Sequence, residues 1–359
     1  MNLYRGCTHN CSYCDGRAEK YQVAGEFGQE VAVKTNAIEI LARELDPSRK
    51  RKPMKRGFVF VGGGVCDSYE PVERKYELTR KALQLIAKYN HPVHMLTKSI
   101  LIERDIDVLS NILEQSGAVV SMSFSSMDDS ISAHFEPGVP KPTRRLKTLE
   151  FFKKQGFTVG MYLMPVLPFI TDTPEKIQQT VKSAVNMGVD FIIFGGMTMK
   201  GGRQQQHFFK VLKDYDASLL DMYEQIYSDN PWGEARSDYY AAINKVFYEI
   251  AQAYRMPVRI PQHVWDARVD ENDRIIIILE HIDYLLRLRG EKSHYNVAAF
   301  SVSQLNEPIS TMREKITQLK GIGTSTAKLI REILETGKSK YYEWLLFGAP
   351  QKHRKNSNS

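Results

Sequence analysis

At 359 residues, 42% apolar and 25% charged, the chain is long enough for one large domain plus a smaller one, and its composition excludes wholesale disorder. No apolar run reaches the roughly 18 residues of a membrane span, the N-terminus lacks a charged-then-apolar leader, and four cysteines are too few for a disulfide scaffold; a cytoplasmic protein with no membrane partner is expected. The net charge of +7 is uneven, since residues 301–359 hold ten Lys/Arg against five Asp/Glu, a balance that favours a polyanionic partner.

In chain order, a short strand at Asn2–Tyr4 precedes a cysteine-rich loop, and from residue 30 to residue 200 amphipathic helices alternate with short apolar strands. The pattern predicts helix Thr35–Leu45, strand Gly57–Val61, helix Glu73–Tyr89, strand Val93–Thr97, helix Asp105–Glu114 and strand Ala118–Phe124. Helix Thr143–Gln155, strand Thr158–Val166, helix Pro174–Asn186 and strand Asp190–Phe194 follow. Such alternation specifies parallel β/α units, and about six strands make an open, partial (β/α)6 barrel rather than a closed eight-stranded one. A basic run, Arg49, Lys50, Arg51, Lys52, Lys55 and Arg56, falls in a Pro-containing loop and reads equally as a solvated loop or a polyanion contact.

Beyond residue 205 the alternation ends, and long helices are predicted at Tyr239–Tyr254 and Ile275–Arg289, with two short helices around a Gly-Ile-Gly turn over Ile316–Leu334. The expected organisation is α/β: a barrel over residues 1–210, an all-α domain over 211–350 that includes a hairpin at 316–336, and a polar tail over 351–359.

Cys7, Cys11 and Cys14 are spaced Cys-x3-Cys-x2-Cys. Three thiolates from one short loop can hold a four-iron cubane and leave one iron open to an exogenous ligand. S-adenosylmethionine chelated there through its amino and carboxylate groups would be cleaved by one electron to a 5′-deoxyadenosyl radical. A zinc knuckle is the rival reading, but it wants a fourth ligand at short spacing, and His9, lying between two of the cysteines, is awkward for tetrahedral closure. Tyr13, next to the third cysteine, could pack on an adenine or simply fill the core.

The segment Tyr4-Arg5-Gly6-Cys7-Thr8-His9-Asn10-Cys11-Ser12-Tyr13-Cys14 resembles the radical SAM signature, and is similar to the branch that contains spore photoproduct lyase. Val33-Lys34-Thr35-Asn36, Asp67-Ser68-Tyr69-Glu70-Pro71-Val72-Glu73, Leu96-Thr97-Lys98-Ser99, Phe135-Glu136-Pro137, Arg144-Arg145-Leu146, Met164-Pro165-Val166-Leu167-Pro168 and Thr171-Asp172 extend the resemblance over residues 1–225. It implies a [4Fe–4S] cluster on Cys7, Cys11 and Cys14, bound S-adenosylmethionine, and a one-electron reductant such as flavodoxin or ferredoxin. Gly62, Gly63 and Gly64 resemble the Gly-Gly-Glu element without its Glu, which leaves backbone contact to the methionine amino group. Lys98 is implied at the cofactor carboxylate or ribose, an ordinary surface lysine being the alternative. Ser121, Ser123 and Ser125 alternate along one strand and share a face that could serve the ribose or be closed by water, and Arg144 and Arg145 could hold a carboxylate or phosphate, with a helix-surface role for one of them. Cys66 approximates the thiol that donates hydrogen in the photoproduct lyases. Asp15 stands where those enzymes place a tyrosine, so their tyrosine relay is not expected here.

Leu319-Lys320-Gly321-Ile322-Gly323-Thr324 and the helix after it resemble a helix-hairpin-helix motif. Its Gly-x-Gly turn exposes backbone N–H groups at a helix start, an anion site that Lys320 and Lys328 would reinforce; a plain packing role for the hairpin is the alternative. The sequence thus points to a radical SAM enzyme that abstracts hydrogen from nucleic acid, in DNA repair or nucleic-acid modification. Action on a protein or small metabolite, a metal-stabilised nucleic-acid-binding module without catalysis, and a scaffold binding neither iron nor S-adenosylmethionine are the alternatives.

Overall fold

The computed structural model describes residues 1–49, 57–227 and 232–348; residues 50–56 of the basic run and the polar tail lie outside them. Two compact units divide after Ile243, the second beginning at Asn244.

In the first unit, β1 (Tyr4–Arg5) and β2 (Ala32–Val33) pair antiparallel as a two-stranded ribbon that brackets the cysteine loop. The parallel sheet is built from β3 (Val59–Val61), β4 (Val93–Thr97), β5 (Ala118–Phe124), β6 (Thr158–Val166) and β7 (Phe191–Gly196), adjacent in that order. This is the expected α/β partial barrel, and the predicted sixth strand lies in the ribbon rather than in the sheet. Helices α1 (Ala37–Leu45), α2 (Glu73–Tyr76), α3 (Leu78–Lys88), α4 (Ile106–Gln115), α5 (Asp129–Phe135), α6 (Pro142–Lys154) and α7 (Pro174–Met187) connect the strands. Then α8 (Arg203–Asp216) and α9 (Leu220–Tyr227) follow β7.

The strands read as nearly continuous apolar runs because both faces are covered over much of their length. Met95, Met122, Phe124, Met161 and Ile192 are buried on one face. On the other, Phe60 and Tyr162 flank His94, whose Nε2 lies 2.8 Å from the Ser121 hydroxyl.

One predicted helix, Glu73–Tyr89, is broken. Glu77 adopts a left-handed φ of 52°, which ends α2 and starts α3. The cause lies in Glu73, whose buried carboxylate accepts from the Thr79 and Arg80 N–H groups at 2.9 and 3.3 Å, capping α3 from outside it. Its other partners are the Tyr4 hydroxyl and Arg104.

The second unit is helical. It takes up the C-terminal part of α10 (Ser237–Ala253), then α11 (Gln262–Trp265), α12 (Glu271–Leu288), α13 (Tyr295–Ser303), a 3-10 segment over Ile309–Gln318, α14 (Thr324–Thr336) and α15 (Lys340–Phe347). Helix α12 is its centre: Asp270 caps it through the Asp273 N–H at 2.8 Å, and Ile275, Ile278, Leu279, Ile282 and Leu285 are fully buried.

Candidate functional site

Left-handed backbone at Gly6 (φ 88°) and Asn10 (φ 53°) folds the cysteine loop after β1. Its thiols are free, with Cys7 and Cys11 buried and Cys14 partly so. The loop is clasped by the segment that ends α5. Ser12 N–H donates to the Phe135 carbonyl at 2.8 Å, Gly138 N–H donates to the His9 carbonyl at 3.0 Å, and His9 Nδ1 lies 3.1 Å from the Gly138 carbonyl. Only glycine fits at 138, because a Cβ there would come within 2.6 Å of the Thr8 carbonyl oxygen.

The fourth hold is the Tyr13 hydroxyl, which donates to Glu136. Glu136 is buried, and its carboxylate also receives Lys98 Nζ at 3.1 Å, Ser132 at 2.8 Å and the fully buried Arg145 guanidinium. Burial by itself would raise the Glu136 pKa, but Arg145 and Lys98 hold it well below the usual carboxylate range. Lys98 continues the network to Ser123 Oγ at 2.9 Å, and its ammonium lies 5.7 Å from the Tyr13 ring centre. Tyr13, Lys98 and Ser123, three of the residues expected around the cofactor, therefore stand together.

A second carboxylate, Asp67, ties the loop to the end of β4. It accepts from the Thr97 hydroxyl at 2.6 Å and the Lys98 N–H at 2.7 Å, and lies 3.5 Å from His9 Nε2. Although burial works against ionisation, these partners keep its pKa low. His9 thus faces Asp67 and Gly138. Glu70 receives the Thr8 N–H and hydroxyl at 3.3 and 3.0 Å, and the buried Arg17 reaches the Cys11 and Phe27 carbonyls and the Asn10 side chain. Asp67, Glu70, Glu136 and Arg17 were not singled out as site residues in the sequence, whereas Arg145, considered there for an anion, holds the Glu136 carboxylate. All but Arg17 lie in the segments that carry the family resemblance.

The other expected residues are placed as follows. Gly62, Gly63 and Gly64 all have positive φ just after β3, and a Cβ on Gly62 would lie 2.2 Å from the Leu96 carbonyl oxygen. Arg144 is on the surface and forms a two-pronged pair with Glu103 at 2.8 Å, while its neighbour Arg145 turns inward. Cys66 packs with Leu3, Tyr4, Leu78 and Ala82, a different apolar cluster from that of Cys11 and Tyr13, and burial pushes its thiol up to about 11. Asp15 accepts from Lys200 and the Tyr21 hydroxyl.

The donor set fits an iron–sulfur cluster. Burial raises the pKa of all three loop cysteines, with Cys11 pushed up to about 12, so ionised thiolates here require a cationic centre beside them. Ser12 Oγ within the loop and Ser125 Oγ just past β5 are buried without a hydrogen-bond partner, as expected beside a polar group. Among the described residues no three His, Cys, Asp or Glu side chains converge on a single metal ion.

In the second unit, Gly321 (φ 77°) turns the chain against Val297 of α13, and Ile322 is buried. Gly323 precedes α14 without any side-chain cap, so the first N–H groups of this 13-residue helix keep their donor capacity. Lys320 and Lys328 are exposed, and Ser301 donates to the Lys320 carbonyl at 2.7 Å. Among the described residues no helix is long and apolar enough to cross a membrane.

Residues 1–174 match the radical SAM superfamily, and residues 270–339 match a helix-hairpin-helix domain. An uncharacterized protein of Mycobacterium tuberculosis is 27% identical over 236 residues, 65% of this chain and 68% of that one. An uncharacterized protein of Methanocaldococcus jannaschii is 28% identical over 211 residues, 58% and 74% of the two chains. Among solved structures, a spore photoproduct lyase variant with bound AdoMet and dinucleoside spore photoproduct superposes with a TM-score of 0.53 at 16% identity, covering 70% of this chain and 72% of that one.

Proposed function

We propose that this chain, a radical SAM enzyme with a [4Fe–4S] cluster and S-adenosylmethionine as cofactors, acts on nucleic acid and uses Cys7, Cys11 and Cys14 as the iron ligands. When bound, the cluster and S-adenosylmethionine supply a 5′-deoxyadenosyl radical that takes a hydrogen atom from the substrate. Flavodoxin or ferredoxin would deliver the electron. The protein's part is positional. The clasp from Phe135 to Gly138 holds the loop, the glycine run would offer backbone carbonyls to the methionine amino group, and Lys98 and Ser123 would present a cation and a hydroxyl at the strand ends, beside Tyr13.

The substrate class rests on one observation: the uncapped start of α14 after Gly321-Ile322-Gly323, flanked by exposed Lys320 and Lys328. Free N–H groups and ammonium groups together bind phosphate oxygens without reading sequence. The test is anaerobic reconstitution with iron and sulfide, then measurement of deoxyadenosine after addition of reductant and S-adenosylmethionine, with DNA, with RNA and with neither. Stimulation by a nucleic acid is expected, and Cys7→Ala, Cys11→Ala and Cys14→Ala should each abolish both the iron chromophore and deoxyadenosine. Turnover that ignores both nucleic acids would sink the substrate reading, and turnover retained without the cysteines would sink the ligand assignment.

A further inference from the structure

The second unit carries an aromatic surface that the hairpin does not use. In sequence Tyr341, Tyr342 and Trp344 could stack on bases, although Trp344-Leu345-Leu346-Phe347 more simply reads as core; in the structure only Leu345 and Leu346 of that run are buried and Trp344 is 42% exposed. Helical spacing explains the split: Tyr341 and Trp344, three apart on α15, share one face, and Tyr342, Leu345 and Leu346 take the other.

Trp344 borders an open cavity of about 460 Å3, lined also by Lys245, Tyr248, Gln252, Arg289 and Glu291. The rings of Tyr341 and Trp344 are within 15° of parallel, with centres 6.0 Å apart. Arg289 lies over part of this aromatic surface. Its guanidinium lies 4.9 Å from the Trp344 ring centre and 6.0 Å from that of Tyr248, and Glu291 fixes it at 2.6 Å. Gln252 spends its amide N–H groups on the Leu345 and Leu346 carbonyls at 2.8 and 2.7 Å, leaving its carbonyl oxygen as an acceptor beside Gly348.

These features select among ligands. A cation would meet Arg289 already seated against the rings, and an aliphatic chain would make no use of the flat shelf or the amide acceptor. A planar, uncharged ring with an N–H donor on its edge uses all of them. Lys245 is exposed and only loosely paired with Glu249 at 4.0 Å, which suits it to a flanking phosphate. We propose that this cavity stacks an unpaired base of single-stranded nucleic acid, a site separate from the hairpin turn; it rests on the reading that the enzyme acts on nucleic acid.

The test uses the full chain and three labelled probes in fluorescence anisotropy: single-stranded oligothymidine, an abasic strand of the same length, and a blunt duplex. Trp344→Leu should weaken oligothymidine binding by about 5- to 150-fold, Trp344→Phe should weaken it less, and neither should alter binding of the abasic strand or the duplex. Wild-type protein that binds oligothymidine no better than the abasic strand, a Trp344→Leu variant that matches wild type, or equal losses on all three probes would each overturn the stacking site while leaving the nucleic-acid reading intact. Wild-type protein that binds none of the three would overturn both.

Discussion

The cysteine loop and the helix hairpin both turn on glycine, but they dispose their charges in opposite ways. Around the loop, Glu136, Arg145, Lys98 and Asp67 point inward and are paired. At the hairpin, Lys320 and Lys328 point outward with no acidic partner among the described residues, and the turn is held by Ile322 and by Gly321 against Val297. Paired buried charges fix geometry and are costly to disrupt, whereas exposed lysines add little stability and keep their capacity for phosphate. One region is built to hold a group in place, the other to take up a partner and release it.

The sharpest way to break this contrast is Arg145→Met, which leaves Glu136 buried with one cation fewer. A loss of about 3–5 kcal/mol in urea denaturation is expected, with reduced iron uptake on reconstitution; near-wild-type stability would show that the inward network is not structural.

Next in size is a response to acid shared by both units. Burial lowers the pKa of His94 to about 4 and, with help from Arg259, that of His281 to about 3. Unfolded histidine takes up its proton near ~6.5, so below that pH the unfolded state binds more protons and stability falls as pH falls, until the folded values are reached. Each histidine should contribute a loss of ~2 kcal/mol between pH ~6.5 and ~5. In urea titrations His94→Asn and His281→Phe should each flatten that slope, and an unchanged slope in both would discount the buried neutral state.

Smaller still, Lys320→Glu and Lys328→Glu should each reduce the salt dependence of duplex binding by about one charge while iron content stays constant. Arg144→Ala, which breaks the partly exposed pair with Glu103, should cost under about 1 kcal/mol. If it costs as much as Arg145→Met, position in the fold does not separate the two arginines.

Much of the first unit was legible because its signals are local. Strands β4, β5 and β6 have the predicted bounds, since apolar runs bounded by helices leave little choice of register. Helix α5 was missed because Asp-Ser-Ile-Ser-Ala-His-Phe is too short and polar to show a helical period; it forms because Asp128 caps it through the Ser130 and Ile131 N–H groups. The break at Glu77 was missed because it depends on the Glu73 carboxylate, whose other partners, Tyr4 and Arg104, are remote in the chain.

Sequence by itself determined what rests on spacing: three cysteines in eight positions, the alternation of strands and helices, and a glycine turn before a helix. Those signals are carried by neighbours along the chain. Only the tertiary structure decided which of two adjacent arginines turns inward, that Glu136 links Tyr13 to Lys98, that His9 faces Asp67, and that Trp344 is exposed beside Arg289. Each of these depends on side chains brought together from distant segments, where burial drives most polar groups to find a partner.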